Sequence, residues 1–186
     1  MKRIMVGSGF LAILCGLISP AHATSVQSNL VASGGDDYRY VYSITNDGSL
    51  GSGVPLQLFD VLFDPAQYLE SSLTITTPPS LSGNWNQIFL ASSPGVPAEY
   101  DALALAGGIA DGATIAGFSV DFKWIGTGTP GVQPYEIYDP NTFALLEQGV
   151  TASPVPVPAA LWLFGSGLVA LLGTVGTRRG PMRVTR

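Results

Sequence analysis

The sequence is poor in the two side chains that most often carry catalysis or bind transition metals. It has one cysteine, Cys15, and one histidine, His22, and both lie within the first 23 residues. A chain that lost this segment would contain neither. It could form no disulfide, no Cys or His metal site, and no Ser-His-Asp or Cys-His catalytic group. Carboxylates are then the residues left for acid–base chemistry.

Charge is scarce as well, and it is unevenly distributed. Only 11% of the residues are charged, and all 13 acidic residues lie between Asp36 and Glu147. Arg39 and Lys123 are the sole basic residues in that stretch, which therefore carries 2 − 13 = −11. Such a surface repels phosphate backbones, so the sequence predicts no nucleic-acid partner.

The first 23 residues have the layout of a secretory signal peptide. Two basic residues follow the first methionine, residues 10–18 are apolar, and Ala21 and Ala23 occupy the positions that a signal peptidase reads. We predict a signal helix over residues 1–23 and cleavage between Ala23 and Thr24. An uncleaved membrane helix is the alternative.

Residues 24–151 have the pattern of an all-β domain. Alternation is clearest at residues 37–45, where Tyr40, Tyr42 and Ile44 share one face, and at residues 115–125. Short alternating segments between Gly, Pro, Asn and Asp turns predict an antiparallel β-sandwich ectodomain. The predicted strands are 37–45, 55–63, 72–77, 86–91, 100–105, 115–125 and 135–138.

The composition changes sharply after this domain. Residues 152–158 alternate proline with other residues, which favours a stiff, extended spacer. Residues 159–175 carry no charge, and Arg178 and Arg179 follow. This order predicts a transmembrane helix over residues 159–179 with a basic cytoplasmic end, and a short cytoplasmic tail over residues 180–186. A buried core helix is the alternative.

The order of proline motif, hydrophobic segment and basic end resembles the PEP-CTERM sorting domains, and is closest to the VPLPA-CTERM variant. The motif residues are Val155, Pro156, Val157, Pro158 and Ala159. The resemblance implies that the motif is a substrate site for an exosortase, a membrane-embedded cysteine protease. It further implies a surface or matrix protein of a Gram-negative bacterium that produces exopolysaccharide.

Within the domain, three kinds of side chain are candidates for chemistry. Six acids could serve a carbohydrate-cleaving site, but no spacing pairs them, and a solvated acidic surface is the simpler interpretation. They are Asp60, Asp64, Glu99, Asp101, Asp121 and Glu136. Asp36, Asp37 and the turn of Asn46, Asp47 and Gly48 are candidate Ca²⁺ ligands, although Asx residues also form ordinary turns. Trp85, between Asn84 and Asn86, is the candidate platform for stacking on a sugar ring, whereas Trp124 lies on an apolar strand face.

These observations predict a non-enzymatic, exported protein of the cell surface or extracellular matrix, associated with exopolysaccharide. Its C-terminal helix would hold it in the inner membrane as an intermediate before it reaches the cell surface or the extracellular space. It would require no cofactor. The alternative is a carbohydrate-binding or carbohydrate-cleaving β-sandwich module. Two carboxylates beside an exposed aromatic cluster would favour the alternative.

Overall fold

The computed structural model describes residues 24–153 of the chain. The predicted signal peptide, sorting motif, transmembrane helix, arginine pair and cytoplasmic tail all lie outside these residues. Within the described residues, no helix is both long enough and apolar enough to cross a bilayer.

Nearly all regular structure in residues 24–153 is β-strand, which confirms the predicted all-β class. The strands are β1 Ser25–Gly34, β2 Asp37–Thr45, β3 Leu58–Phe63, β4 Thr74–Ile75, β5 Trp85–Leu90, β6 Ala98–Ala104, β7 Thr114–Lys123, β8 Pro134–Tyr138 and β9 Leu145–Val150. One 3₁₀ turn, Glu70–Ser72, and one four-residue helix, α1 Pro79–Ser82, complete this list. The strands form a four-stranded sheet, in the order β1-β2-β7-β4, and a five-stranded sheet, in the order β5-β6-β3-β8-β9.

The core is formed by the inner faces of the two sheets. Alternation along β2 and β3 buries Tyr40 and Tyr42 from one sheet and Phe59 and Val61 from the other. Phe59 meets Phe118 of β7 edge to face, with ring centroids 5.1 Å apart. Such contacts between the sheets, together with antiparallel pairing throughout both of them, match the predicted sandwich.

One strand pair contains a bulge that only glycine accommodates well. The pairing of β2 with β7 shifts between Tyr42 and Ser43, which face Phe118 and Ala116, so Gly117 is the extra residue. Its φ is +109°, a conformation that side chains with a Cβ strongly disfavour. The bulge lets Phe118 and Ile115 remain in register with β2 on either side of it.

The two ends of the described chain meet at one edge of the four-stranded sheet. Gln27 of β1 and Ala152 form a parallel bridge. The Ser28 amide donates to the Ala152 carbonyl at 2.9 Å, and the Ala152 amide donates to the Val26 carbonyl at 2.9 Å. The Ser28 hydroxyl also donates to Thr151 Oγ1 at 3.0 Å. The N- and C-terminal ends of the domain are therefore fastened side by side, and this parallel bridge is called the terminal seam below.

The prediction of a strand over residues 72–77 is largely wrong. A 3₁₀ turn ends at Ser72, whose hydroxyl donates to the Leu69 carbonyl at 2.6 Å and accepts from the Lys123 amide at 2.8 Å. Only the two residues of β4 pair with β7. Serine hydroxyls compete with strand pairing by bonding nearby backbone groups, and that local turn takes precedence here.

Candidate functional site

Three adjacent strands of the five-stranded sheet place four carboxylates on its outer face. Asp60 of β3 stands opposite Asp101 of β6 on one side and opposite Glu136 of β8 on the other. Glu99 lies two residues from Asp101 on β6, on the same face. These four residues, Asp60, Glu99, Asp101 and Glu136, are called the carboxylate cluster. Linear spacing does not pair these acids, but strand register brings them together.

Asp60 lies at the centre of the cluster and is only 5% exposed. Its Oδ1 atom is buried and has no hydrogen-bond partner among the described residues. Burial and the nearby carboxylates of Asp101 and Glu99 raise the pKa of Asp60 to about 8. A solvated acidic surface is therefore the wrong description of this buried residue.

The neighbours of Asp60 are affected in the same direction. Burial raises the pKa of Asp101, and burial together with Glu136 and Asp101 raises the pKa of Glu99. The Tyr138 hydroxyl donates a hydrogen bond to Glu136 Oε2, and this bond raises the pKa of Tyr138 above its ordinary value. Beside its carboxyl groups, this face therefore also presents the hydroxyl of Tyr138 to a ligand.

Basic side chains do not neutralise the cluster. Within residues 24–153 the basic residues are Arg39 and Lys123, and both are paired on the other sheet. Arg39 Nε lies 2.5 Å from Asp121 Oδ1, and Lys123 Nζ lies 3.7 Å from Asp37 Oδ1. The Arg39 hydrogen bond holds the pKa of Asp121 below its usual range. Asp121 is thus part of an ion pair rather than of the cluster.

A cavity of about 410 Å³ lies at the end of the same sheet; the four carboxylates do not line it, but three of its lining residues are each two positions along the chain from one of them. Leu62, which follows Asp60 on the outer face, lines it together with Pro97 and Pro134, and the loop residue Val96 forms part of its wall. Asp64 also lines the cavity, and its Oδ1 atom accepts the Ala66 amide in a turn at 2.9 Å. The volume lies in the range typical of small-molecule sites, and apolar walls beside a few polar groups are common in such sites.

Trp85 does not form the predicted exposed platform. It is 4% exposed and packs edge to face on Phe59 and Phe118, with centroids 5.8 and 5.0 Å away. Its flanking asparagines suggested exposure, but residues on either side of an inward-facing strand residue point away from the core. Trp124 is buried, as predicted. Tyr138, partly exposed and bonded to Glu136, is the aromatic residue that accompanies the cluster.

One candidate Ca²⁺ loop, the turn of Asn46, Asp47 and Gly48, is occupied by structural hydrogen bonds, and in the other Asp37 pairs with Lys123. The buried Asn46 amide donates to the Val54 and Ile109 carbonyls, both at 2.9 Å. Asp47 Oδ1 accepts the Ser49 amide at 3.1 Å, as in an ordinary Asx turn. Across residues 24–153, no group of three or more His, Cys, Asp or Glu side chains is arranged to hold a metal ion.

No protein-family model matches the chain, and no curated protein matches it. Among solved structures, one similar chain is an inactive mutant of the GH20 exo-β-N-acetylglucosaminidase from Vibrio harveyi. It is 9% identical with a TM-score of 0.37, and the match covers 70% of this chain and 18% of that one. Another similar chain belongs to the CaDoc0917–CaCohA2 complex. It is 17% identical with a TM-score of 0.34, and the match covers 69% of this chain and 94% of that one. Neither likeness is strong enough to assign an activity.

Proposed function

We propose that this chain is an exported, non-enzymatic protein of the cell surface or extracellular matrix. Its β-sandwich is the exported domain, and its PEP-CTERM-like tail is the sorting signal that an exosortase-type protease processes. The observation that supports this proposal is the terminal seam. The two ends of the described domain lie side by side at one edge of the sandwich, so targeting segments attached to them need not cross its core.

The geometry of the carboxylate cluster supports the non-enzymatic part of the proposal. Glycosidases place two carboxyl groups on either side of the bond to be broken, one as acid and the other as base or nucleophile. Here all four carboxylates project from one sheet face and stand on neighbouring strands. The central residue, Asp60, is only 5% exposed and is not free to reach a glycosidic bond, an arrangement suited to binding rather than to hydrolysis.

The second candidate function is carbohydrate binding at the same face. The cavity beside the carboxylate cluster favours it, because carboxylates accept hydrogen bonds from sugar hydroxyls and apolar walls cover sugar ring faces. Calorimetric titration of the host's exopolysaccharide into the purified domain tests this candidate. Binding that Asp101→Asn weakens and Asp36→Asn leaves unchanged would support it, and absence of binding at millimolar sugar would eliminate it.

The sorting proposal is tested in the native host by cell fractionation. We expect a Pro156→Ala, Pro158→Ala double variant to insert into the inner membrane and to remain there, because the protease no longer recognises its motif. Pro154→Ala, just outside the motif, is the matched control and should be released normally. Normal release of the double variant would show that the tail is a plain anchor or is released by another route.

A further inference from the structure

The end of the domain at Thr24 lies in an unusual environment. Thr24, which precedes β1, is only 2% exposed. Its backbone nitrogen donates to Ser49 Oγ at 3.1 Å, and its carbonyl accepts the Tyr135 hydroxyl at 2.7 Å. Its own hydroxyl lies 3.0 Å from Ser49 Oγ. Every polar group of Thr24 is therefore held by the domain.

Two acidic side chains accept hydrogen bonds from Ser49. The Ser49 hydroxyl donates to Glu147 Oε2 of β9 at 2.8 Å, and the Ser49 amide donates to Asp47 Oδ1 at 3.1 Å. Burial first, and then the charges of Glu147 and Asp47, raise the pKa of Tyr135, whose hydroxyl bonds Thr24. The backbone nitrogen of Thr24 thus donates to a hydroxyl that itself bonds the Glu147 carboxylate, while Asp47 bonds the amide of the same serine. Both basic side chains of the described domain are held in ion pairs elsewhere, with Asp121 and Asp37.

A backbone amide is neutral and needs no nearby carboxylate, whereas a positively charged ammonium group is stabilised by one. Hydrolysis of the bond between Ala23 and Thr24 by water leaves a carboxylate on Ala23 and an α-ammonium group on Thr24. The new group carries a positive charge and additional N–H donors, which pair most strongly with carboxylates and with hydroxyls that carboxylates polarise. Capture of a free amino terminus by such surroundings is a known mode of recognition.

We propose that Ser49, Glu147 and Asp47 form a receptor for the chain's own α-ammonium group, created at Thr24 when the signal peptide is removed. This inference rests on the export proposed above, since it takes the cleavage site from that proposal. It adds an order of events. Because Thr24 is buried in the folded domain, the peptidase must cut the bond before the N-terminal end of β1 docks, and docking then sequesters the new terminus.

The sequence supplies an internal standard for the test. A chain that begins at Thr24 contains two amines, the α-amine and Lys123 Nζ, because Lys2 leaves with the signal peptide. The Lys123 side chain is 42% exposed. The chain of residues 24–186 is prepared in mild detergent from a carrier fusion whose protease leaves no extra residue. Both amines are then labelled with a trace of amine-reactive ester at pH 7, and the labelled peptides are quantified.

In the urea-unfolded chain the α-amine should label faster than Lys123, because an α-amine has an ordinary pKa of roughly 7.7–8.0 against about 10.4 for lysine. We expect folding to lower the ratio of α-amine to Lys123 labelling by about tenfold, the effect of a pKa rise of about one unit. Glu147→Gln and Ser49→Ala should each restore much of the ratio, whereas Asp36→Asn, which removes an exposed charge beyond the far end of β1, should not.

An unchanged ratio on folding would overturn the proposal. A ratio that falls in the wild type but is restored by neither variant would also overturn it, because simple burial would then explain the protection. Ser49→Ala retains both carboxylates, so it decides the question if Glu147→Gln does not fold. Sequencing of the exported protein's N-terminus tests the export proposal separately. A start other than Thr24 would refute the assumed cleavage, whatever the labelling of the engineered chain shows.

Discussion

Replacing Asp60 by asparagine should stabilise the domain in mildly alkaline solution and have little effect at about pH 3. The pKa of Asp60 is about 8 in the folded chain, against an ordinary value of 3.8. The folded state therefore binds more protons than the unfolded state between roughly pH 4 and pH 8. The stability that Asp60 contributes is fully present below this window and is lost as the pH rises through it. Asparagine is neutral at every pH and escapes that loss.

The magnitude follows from the size of the pKa difference. About four pH units at about 1.4 kcal/mol each set an upper bound of about 6 kcal/mol on the loss above pH 8. The Asp60 carboxylate can turn toward water, and Asp101 and Glu99 can share the proton, so the realised loss is smaller. We expect Asp60→Asn to raise the free energy of unfolding by about 2–3 kcal/mol at pH 8.5, and by less than about 0.5 kcal/mol at about pH 3, below the ordinary pKa of an aspartate.

Urea unfolding of residues 24–153, followed by the fluorescence of the buried Trp85 and Trp124, measures both values. Asp36→Asn is the matched control, because it removes an exposed acid on the other sheet and reports the effect of net charge alone. A gain of equal size at both pH values would mean that asparagine simply packs better. The absence of a gain at pH 8.5 would refute the argument that a buried, crowded carboxylate destabilises the domain.

Three further predictions concern packing, ion pairing and catalysis. Trp85→Ala should lower the free energy of unfolding by about 3–5 kcal/mol in urea titrations, whereas a change within about 0.5 kcal/mol would indicate a surface residue. Asp121→Asn should cost less than about 1 kcal/mol at pH 7, because its ion pair with Arg39 is partly exposed. That cost should vanish at about pH 2, since the stabilisation is lost as pH falls through the lowered pKa of Asp121. A glycan-hydrolysis screen of the domain should detect no turnover, and turnover abolished by Asp101→Asn would contradict the non-enzymatic proposal.

The sequence predicts best those strands that alternate strictly and lie in the middle of a sheet. The segment 37–45 coincides with β2, and the segment 115–125 lies within two residues of β7 at each end. Both strands contribute a row of large residues to the core, so the alternation of buried and exposed residues is clear in the sequence. The turn of Asn46, Asp47 and Gly48 is likewise where the sequence places it.

The two strands that the sequence analysis does not identify, β1 and β9, are at sheet edges. Leu145, Leu146 and Val150 of β9 are all exposed, and most of β1 beyond Ser28 is exposed as well. Such strands are defined by pairing with a neighbour, and the sequence of the strand alone does not contain that information. The carboxylate cluster could not be predicted for the same reason. Asp60 lies 41 positions from Asp101 and 76 from Glu136, and only strand register makes the three neighbours.

The terminal seam determines how the domain would bear a mechanical load. Because the bridge between Gln27 and Ala152 is parallel, residues 151–153 run in the same direction as β1. A pull on Ala152 along that direction acts along the strands and strains the bonds of Ser28 and Val26 with Ala152 together. Bonds loaded in this shear geometry must fail in concert, whereas a peeled strand loses them one at a time. The terminal seam therefore resists a pull that is applied to the C-terminal end of the described domain along β1.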